Sequence, residues 1–343
     1  MAVLLITILG AVIATNPAAT LSNIVAKKTG EVVDIAKIND PVEKEYLKLL
    51  EADDAAQVEV DRWITENNQF RAQGGGIEQA LLNKKIERTF EPVKKAYEDF
   101  LAVHSEHARA RLAYGSFLND IHEEEAAQAQ WEKARELDPK NPAAWNNLAN
   151  HYGHNGPVKK AFEYYAKAIE LDPTESTYYF NLATTVYLFR REATNYYNLN
   201  QQQVFEKAMV LYRKALQLDP ENFALATDYA QSYYGFKPTL TGNAEEDRKI
   251  TEKHFNDAMT AWQAAFKLAK DDIERQGVLI HYARVQINAD RFEAARTNLN
   301  AVSNEMYTTT KKNLLKKLEN RIKESTNAAP AVSSGGGGPS SAK

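Results

Sequence analysis

A six-residue phrase recurs along the chain: ARELDP at 134–139, AIELDP at 168–173 and ALQLDP at 215–220, with successive copies 34 and then 47 residues apart. A period of this length marks units that cannot bury an apolar face alone and do so by stacking on copies of themselves. The phrase is also a helix ending. Proline disfavours helical geometry in the residue before it, so helices are predicted to stop at or near Asp138, Asp172 and Asp219. The runs upstream, such as AFEYYAKAI, place alanines and aromatics three and four residues apart, which is one face of a helix.

Residues 142–173, PAAWNNLANHYGHNGPVKKAFEYYAKAIELDP, spell out one unit. With Pro142 as its first position, Trp145, Leu148, Ala149, Tyr152, Gly156, Ala161, Tyr165, Ala168 and Pro173 fall on or beside the signature positions of a tetratricopeptide repeat, which the segment resembles almost throughout. The physical logic is that Ala149 and Ala161 are small enough for two antiparallel helices to approach closely, while the larger side chains fill the volume around that contact. Residues 108–141 repeat the arrangement with Tyr114, Gly115, Leu118, Ala127, Trp131, Ala134 and Pro139. A third unit begins with Tyr179, Leu182, Ala183 and Val186, but its second helix resumes only at Ala208, Tyr212 and Ala215, so 13 residues are inserted. A fourth starts near Phe223 and is interrupted before Ala258, Trp262 and Ala265, and a fifth, weaker one runs from about Gln276 through Ala283 and Phe292 to Leu299.

The resemblance covers roughly residues 77–305. It implies an all-α, right-handed α-solenoid of helix-turn-helix repeats that binds peptides or proteins in its concave groove. PVKKAYEDF at 92–100 nearly copies PVKKAFEYY at 157–165, so 77–107 is expected to be a degenerate repeat with its first helix at about 77–89; alternatively PVKKA is only a good helix start. The array proper is expected over 108–305, with insertions near 188–203 and 236–250. The first is predicted to extend the helices of the third repeat or to form a small excursion, its Phe189, Tyr196 and Tyr197 serving either a partner or local packing. The second reads as a loop punctuated by Pro238 and Gly242.

The ends differ in character. Residues 2–14, AVLLITILGAVIA, are uncharged and of the length of a signal-peptide core, too short to span a bilayer as a helix, so 1–26 reads as a leader and the chain as periplasmic or secreted. No basic residue precedes the run and Lys27 and Lys28 follow it, which keeps a cytoplasmic or membrane-anchored chain open as the alternative. Asp40, Pro41 and Glu43 form a helix start, followed by a helix to about Ala52 and another through Val58, Trp63 and Ile64 that ends at Gly74 to Gly76. These helices at 40–76 are expected to cap the first repeat, because an open array end exposes apolar surface. At the far end KKNLLKKLENRIKE within 306–324 is expected to be a capping helix with Leu314, Leu315, Leu318 and Ile322 on its packed side. A membrane-surface or nucleic-acid helix is the competing reading. The tail 325–343 has too little apolar content to order itself.

Absence of cysteine removes disulfides, thiolate chemistry and cysteine-ligated zinc, and a net charge of −4 gives no general argument for nucleic-acid binding. HYGH at 151–154, HSEH at 104–107 and HEEE at 122–125 are fragments that assemble no catalytic set, and neither a phosphate-binding loop nor a dinucleotide fingerprint is present. No enzyme activity, cofactor or metal is therefore expected, nor a membrane span once the leader is removed. The resemblance further implies that first helices line the groove. The clamp by which some family members hold an acidic terminus needs lysines and an arginine there, but the corresponding positions hold Leu112, Ser116, Asn147, Thr177 and Asn181. Asn147, Asn181 and Asp228 share one repeat position and resemble an asparagine ladder that grips the backbone of an extended peptide, with Asp228 only able to accept. Asn146, Asn150, Phe180, Tyr187 and Tyr234 fall at other groove-facing positions. The expected function is a non-catalytic scaffold binding an extended peptide or protein; the alternative is an accessory subunit of a cell-envelope enzyme or secretion complex.

Overall fold

The computed structural model describes residues 40–72 and 74–328, so the expected leader over 1–26 and most of the expected tail lie outside the described residues. Those residues form fourteen α-helices and two short 3-10 segments, with no strand among them. The helices group into two compact units, one up to Leu218 and one from Asp219. In the first unit α1 (Pro41–Ala72) and α2 (Gln79–Val103) precede three repeats. These are α3 (Ala108–Asp120) with α4 (Glu124–Leu137), α5 (Pro142–Asn155) with α6 (Val158–Leu171), and α7 (Ser176–Leu188) with α9 (Gln201–Leu218), the last pair interrupted by α8 (Arg190–Tyr197). The second unit holds α10 (Phe223–Gln231), a 3-10 segment Ser232–Gly235, α11 (Ala244–Leu268), α12 (Asp272–Asn288), α13 (Phe292–Ala301), a 3-10 segment Glu305–Tyr307 and α14 (Thr308–Ala328).

The repeated phrase ends helices as its chemistry demands: α4, α6 and α9 stop at Leu137, Leu171 and Leu218, each one residue before the Asp-Pro pair. Two of the three turns are also pinned by an aromatic six residues on. Trp145 Nε1 donates to the Pro139 carbonyl at 2.9 Å and the Tyr179 hydroxyl to the Pro173 carbonyl at 3.2 Å. At the third turn the residue six after Pro220 is Ala226, which cannot make this bond. Entry into α5 is fixed by Asn141, whose side chain accepts from the Ala143 N–H, and by Pro142 in the first turn.

Within a repeat the two helices meet over small residues. Ala149 and Ala161 are fully enclosed, as are Ala127, Ala183 and Ala208. Large aromatics from the second helices, Trp131, Tyr165 and Tyr212, are buried beside these contacts. Gly115, Ala149 and Ala183 occupy the same repeat position. The repeat with glycine there is the one whose second helix brings tryptophan: a Cβ on Gly115 would stand 2.5 Å from the Trp131 ring.

Four sequence expectations need correction. The segment 40–76 is not two helices but one, 32 residues long, because 51–57 (EADDAAQ) contains no breaker and its partners continue beneath it. Nor is 77–107 a helix pair: α2 runs unbroken through Pro92, which gives up one backbone donor while the helix stays packed on α1. Tyr46 and Leu50 of α1 are wholly buried, the Tyr97 hydroxyl donates to Asp53 at 2.7 Å, and Glu43 pairs with Arg109. The long α1–α2 hairpin therefore packs against α3, the first helix of the first repeat. The second insertion is a loop only as far as Asn243, which caps α11, so 244–250 lengthens a helix. Residues 325–328 of the expected tail continue α14.

The first insertion is the small helical excursion α8 together with an early start to α9. Tyr196 and Tyr197 both set their rings against Phe162 of α6, at 5.2 and 5.4 Å, and Phe162 is fully buried. Those two aromatics thus pack locally. In the second unit Ile280, Ala283, Ile287, Ala295, Leu299 and Val302 form a core closed by Leu314 and Leu318 of α14, the expected terminal cap. Because overpacking at a close helix contact forces shifts that cost about 1–3 kcal/mol, Gly115→Ala should destabilise the chain by that amount in urea unfolding, and Trp131→Phe in the same chain should recover part of it. Equal stability of Gly115→Ala and wild type would show that the Trp131 ring is free to move away.

Candidate functional site

The first helices of the first unit bring most of the expected site residues together. Asn181 Nδ2 on α7 donates to Asn146 Oδ1 on α5 at 3.0 Å, Asn146 Nδ2 donates to Asn147 Oδ1 at 3.3 Å, and Asn147 Nδ2 donates to the Ser116 hydroxyl on α3 at 3.3 Å. Ser116 then donates to its own helix at the Leu112 carbonyl. A line of amides thus runs across α7, α5 and α3. Asn146 is buried and Asn147, Asn150 and Asn181 are half-buried, so the line lies at a surface.

A second set of bonds comes up from the second helices. The Tyr165 hydroxyl donates to Asn150 Oδ1 at 2.6 Å, and the Tyr212 and Thr184 hydroxyls meet at 2.9 Å. Burial pushes the Tyr165 phenol up to about 12, so it remains a donor at any ordinary pH. Phe180 packs at 6.0 Å from the Tyr212 ring. Tyr187 is half-buried at the end of α7, with the Arg190 guanidinium over its face at 4.7 Å.

Ser116, Thr184, Tyr165 and Tyr212 were not among the expected site residues, although Ser116, Asn150 and Thr184 recur at intervals of 34 and share one repeat position. That polar row was the available signal. The hydroxyl donors beneath it had none, since an aromatic in a second helix is also what packing requires.

Asp228 and Tyr234 belong to the second unit. Asp228 is exposed on α10. Tyr234 lies beyond that helix, in the 3-10 segment, and turns inward. Its hydroxyl donates to the His281 carbonyl at 3.1 Å and meets His281 Nδ1 at 3.0 Å, while its ring lies nearly parallel to those of Trp262 and His281. Trp262 and His281 stack at 4.2 Å.

The histidine motifs resolve into structural parts. His107 of HSEH caps α3, its Nδ1 accepting from the Ala110 N–H at 3.0 Å, and burial pushes its imidazole below the usual range. His122 takes a left-handed turn conformation (φ 64°), and His151 of HYGH lies 3.4 Å from Asn155 Nδ2. No group of three His, Asp or Glu side chains able to hold a metal occurs among the described residues. No helix among them is long and apolar enough to cross a membrane.

Residues 142–175 match the tetratricopeptide repeat family, and they are the repeat whose helices, small contact and turn were described above. This segment is a tetratricopeptide repeat. Repeats of this family are generally scaffolds for protein–protein contacts. No curated protein sequence matches the chain. Among solved structures it is similar to PilW, a widely conserved type IV pilus biogenesis factor, at 14% identity and a TM-score of 0.49, over 69% of this chain and 96% of that one. It is similar also to pilF of Pseudomonas aeruginosa at 15% identity and a TM-score of 0.48, over 79% and 99%. YrrB, a TPR protein with an unusual peptide-binding site, aligns at 14% identity and a TM-score of 0.46, over 68% and 99%.

The aromatic stack of the second unit makes its stability pH-dependent. Burial first, and the Arg284 guanidinium second, push the His281 imidazole down to about 4. An unfolded histidine titrates near ~6.5, so as pH falls the unfolded chain takes up this proton first. The neutral imidazole's contribution is complete above that value and is lost on acidification towards about 4. This predicts that His281→Gln, although less stable at neutral pH, loses about 2–3 kcal/mol less stability than wild type between pH 7 and 4 in parallel urea titrations. Parallel pH profiles for the two proteins would place His281 in an ordinary solvated setting.

Proposed function

We infer that the chain is a non-catalytic scaffold whose first-helix face in the first unit binds an uncharged, extended peptide or partner segment through its backbone. The observation that carries this reading is the way the amides are already committed. Asn150 Oδ1 is taken by Tyr165, which leaves its Nδ2 as a donor without an acceptor among the described residues. Asn181 Nδ2 is taken by Asn146, which leaves its Oδ1 as an acceptor. A half-buried donor and a half-buried acceptor, each held by a bond behind it, suit the alternating N–H and C=O groups of an extended chain. Their orientation is fixed before any ligand arrives, so little side-chain freedom is lost on binding.

Charge supports the same class of ligand. Leu112, Ser116, Asn146, Asn147, Asn150, Thr177, Phe180, Asn181 and Thr184 include no ionisable side chain. A ligand with buried charges would find no counter-charge at these positions, and Phe180 and Tyr187 offer apolar contact instead. The test is to pan a random peptide library against the full chain and titrate the selected peptides into wild type and the Asn147→Ala/Asn181→Ala double variant. Selected sequences should be depleted in charge, and the double variant should bind them about 1–3 kcal/mol more weakly with unchanged helical circular dichroism. Equal affinity, or selection of highly charged peptides, contradicts the assignment.

A further inference from the structure

Of the six basic residues of α14, three are tied to the body of the unit, Lys323 lies towards the end of the helix, and two face a hollow. Lys311 Nζ donates to the Val302 carbonyl at 2.7 Å, Lys317 Nζ to Asn288 Oδ1 at 2.8 Å, and Arg321 pairs with Asp290 at 2.6 Å. Lys317 and Arg321 hold the helix to the turn that joins α12 and α13, Lys311 holds it to the end of α13, and together they account for half of the basic run as structural. Lys312 and Lys316 are exposed, one helical turn apart, and neither side chain has an ion pair or hydrogen bond among the described residues.

Both free lysines line a cavity of about 560 Å³ between α14 and the segment that follows α13. Partly buried Leu315 gives it an apolar floor, Ser303, Asn304 and Thr308 add polar groups, and Glu319 is the one acid in its lining. Three lysines against one glutamate leave the lining with an excess of two positive charges. In the other large hollow of this unit Lys249, Lys253 and Arg291 are each paired with a carboxylate, on Glu245, Asp257 and Glu252, and Arg248 is the basic residue left over.

The shape of the surplus indicates its counterpart. A bilayer-surface helix needs a free apolar stripe beside its basic face, but Leu314 and Leu318 of α14 are buried in the core of the unit. A concave site with an apolar floor and cations at its rim fits a segment that presents an aliphatic side chain flanked by carboxylates. We propose that this cavity is a docking site for an acidic peptide segment of a partner protein, with carboxylates on Lys312 and Lys316 and an aliphatic side chain on Leu315. It is chemically the opposite of the amide face, so it would engage a different stretch of partner and does not depend on that face being a binding site.

The experiment titrates a fluorescein-labelled peptide of repeating Glu-Glu-Leu into the full chain and follows anisotropy, with a Gln-Gln-Leu peptide in parallel. Binding of the acidic peptide alone is expected, weakening as salt is raised. Lys312→Glu/Lys316→Glu should weaken it by at least about tenfold, the milder Lys312→Gln/Lys316→Gln should weaken it less, and Glu319→Gln should strengthen it. Thermal melting of each variant within the wild-type transition keeps the comparison valid, since all three positions are exposed. The proposal is overturned if the acidic peptide does not bind, if the double reversal binds it as well as wild type, or if the Gln-Gln-Leu peptide binds equally. It is also overturned if the chain sediments with phosphatidylglycerol vesicles or retains single-stranded DNA through these lysines while ignoring the peptide.

Discussion

Close approach of two antiparallel helices over enclosed alanines is the contact on which everything else depends. Where Ala149 and Ala161 meet no solvent, the helix axes can come near enough for Leu148, Tyr152 and Tyr165 to fill the flanks, and each such side chain removed from water contributes roughly 1.5–3 kcal/mol. A single helix pair of this size still has a face left over. That face is closed by the next pair, and at the ends of the units by α1 with α2 and by α14, whose buried leucines and tyrosine are what a terminal cap requires. The same contact decides local identity: glycine stands at 115 where the facing aromatic is tryptophan.

The function follows from what this packing leaves unused. Second-helix aromatics are committed to the interior, but their hydroxyls reach back to the first helices and lock Asn150 and Thr184. Amides on neighbouring first helices lock each other. A polar face made this way is rigid without being charged, and it holds spare donors and acceptors in known directions. The end of the second unit holds spare cations over an apolar floor instead. Two surfaces of unlike chemistry on one chain suit the proposed scaffold, which would hold more than one kind of segment.

Much of this was legible from one sequence. The Asp-Pro pairs mark helix ends because the steric rule for the residue before proline is local, and the alanine and aromatic positions recur because each repeat faces the same geometry. Pro92 was misread for a related reason. Proline suits a first turn, but a helix supported along its side by α1 tolerates the loss of one backbone bond, and local sequence does not reveal that support. The run from Glu51 to Gln57 likewise has no breaker, and only its partners show that the helix continues. The amide positions 147 and 181 could be found by spacing. Their bonding to Asn146 and Ser116 could not, because it depends on how far each repeat is displaced against the next. Tyr234 fell at a groove position by count, yet the helix ends before it, and its ring turns to Trp262 and His281.

That each helix pair is held chiefly by its neighbours is the claim with the widest consequences. Native-state hydrogen exchange on the full chain carrying Ala161→Leu, compared with wild type, tests it most directly. Widening the α5–α6 contact should lower amide protection most in those two helices and, through lost stacking, measurably in α4 and α7 as well. Loss of protection confined to α5 and α6, with α4 and α7 exchanging as in wild type, would contradict it.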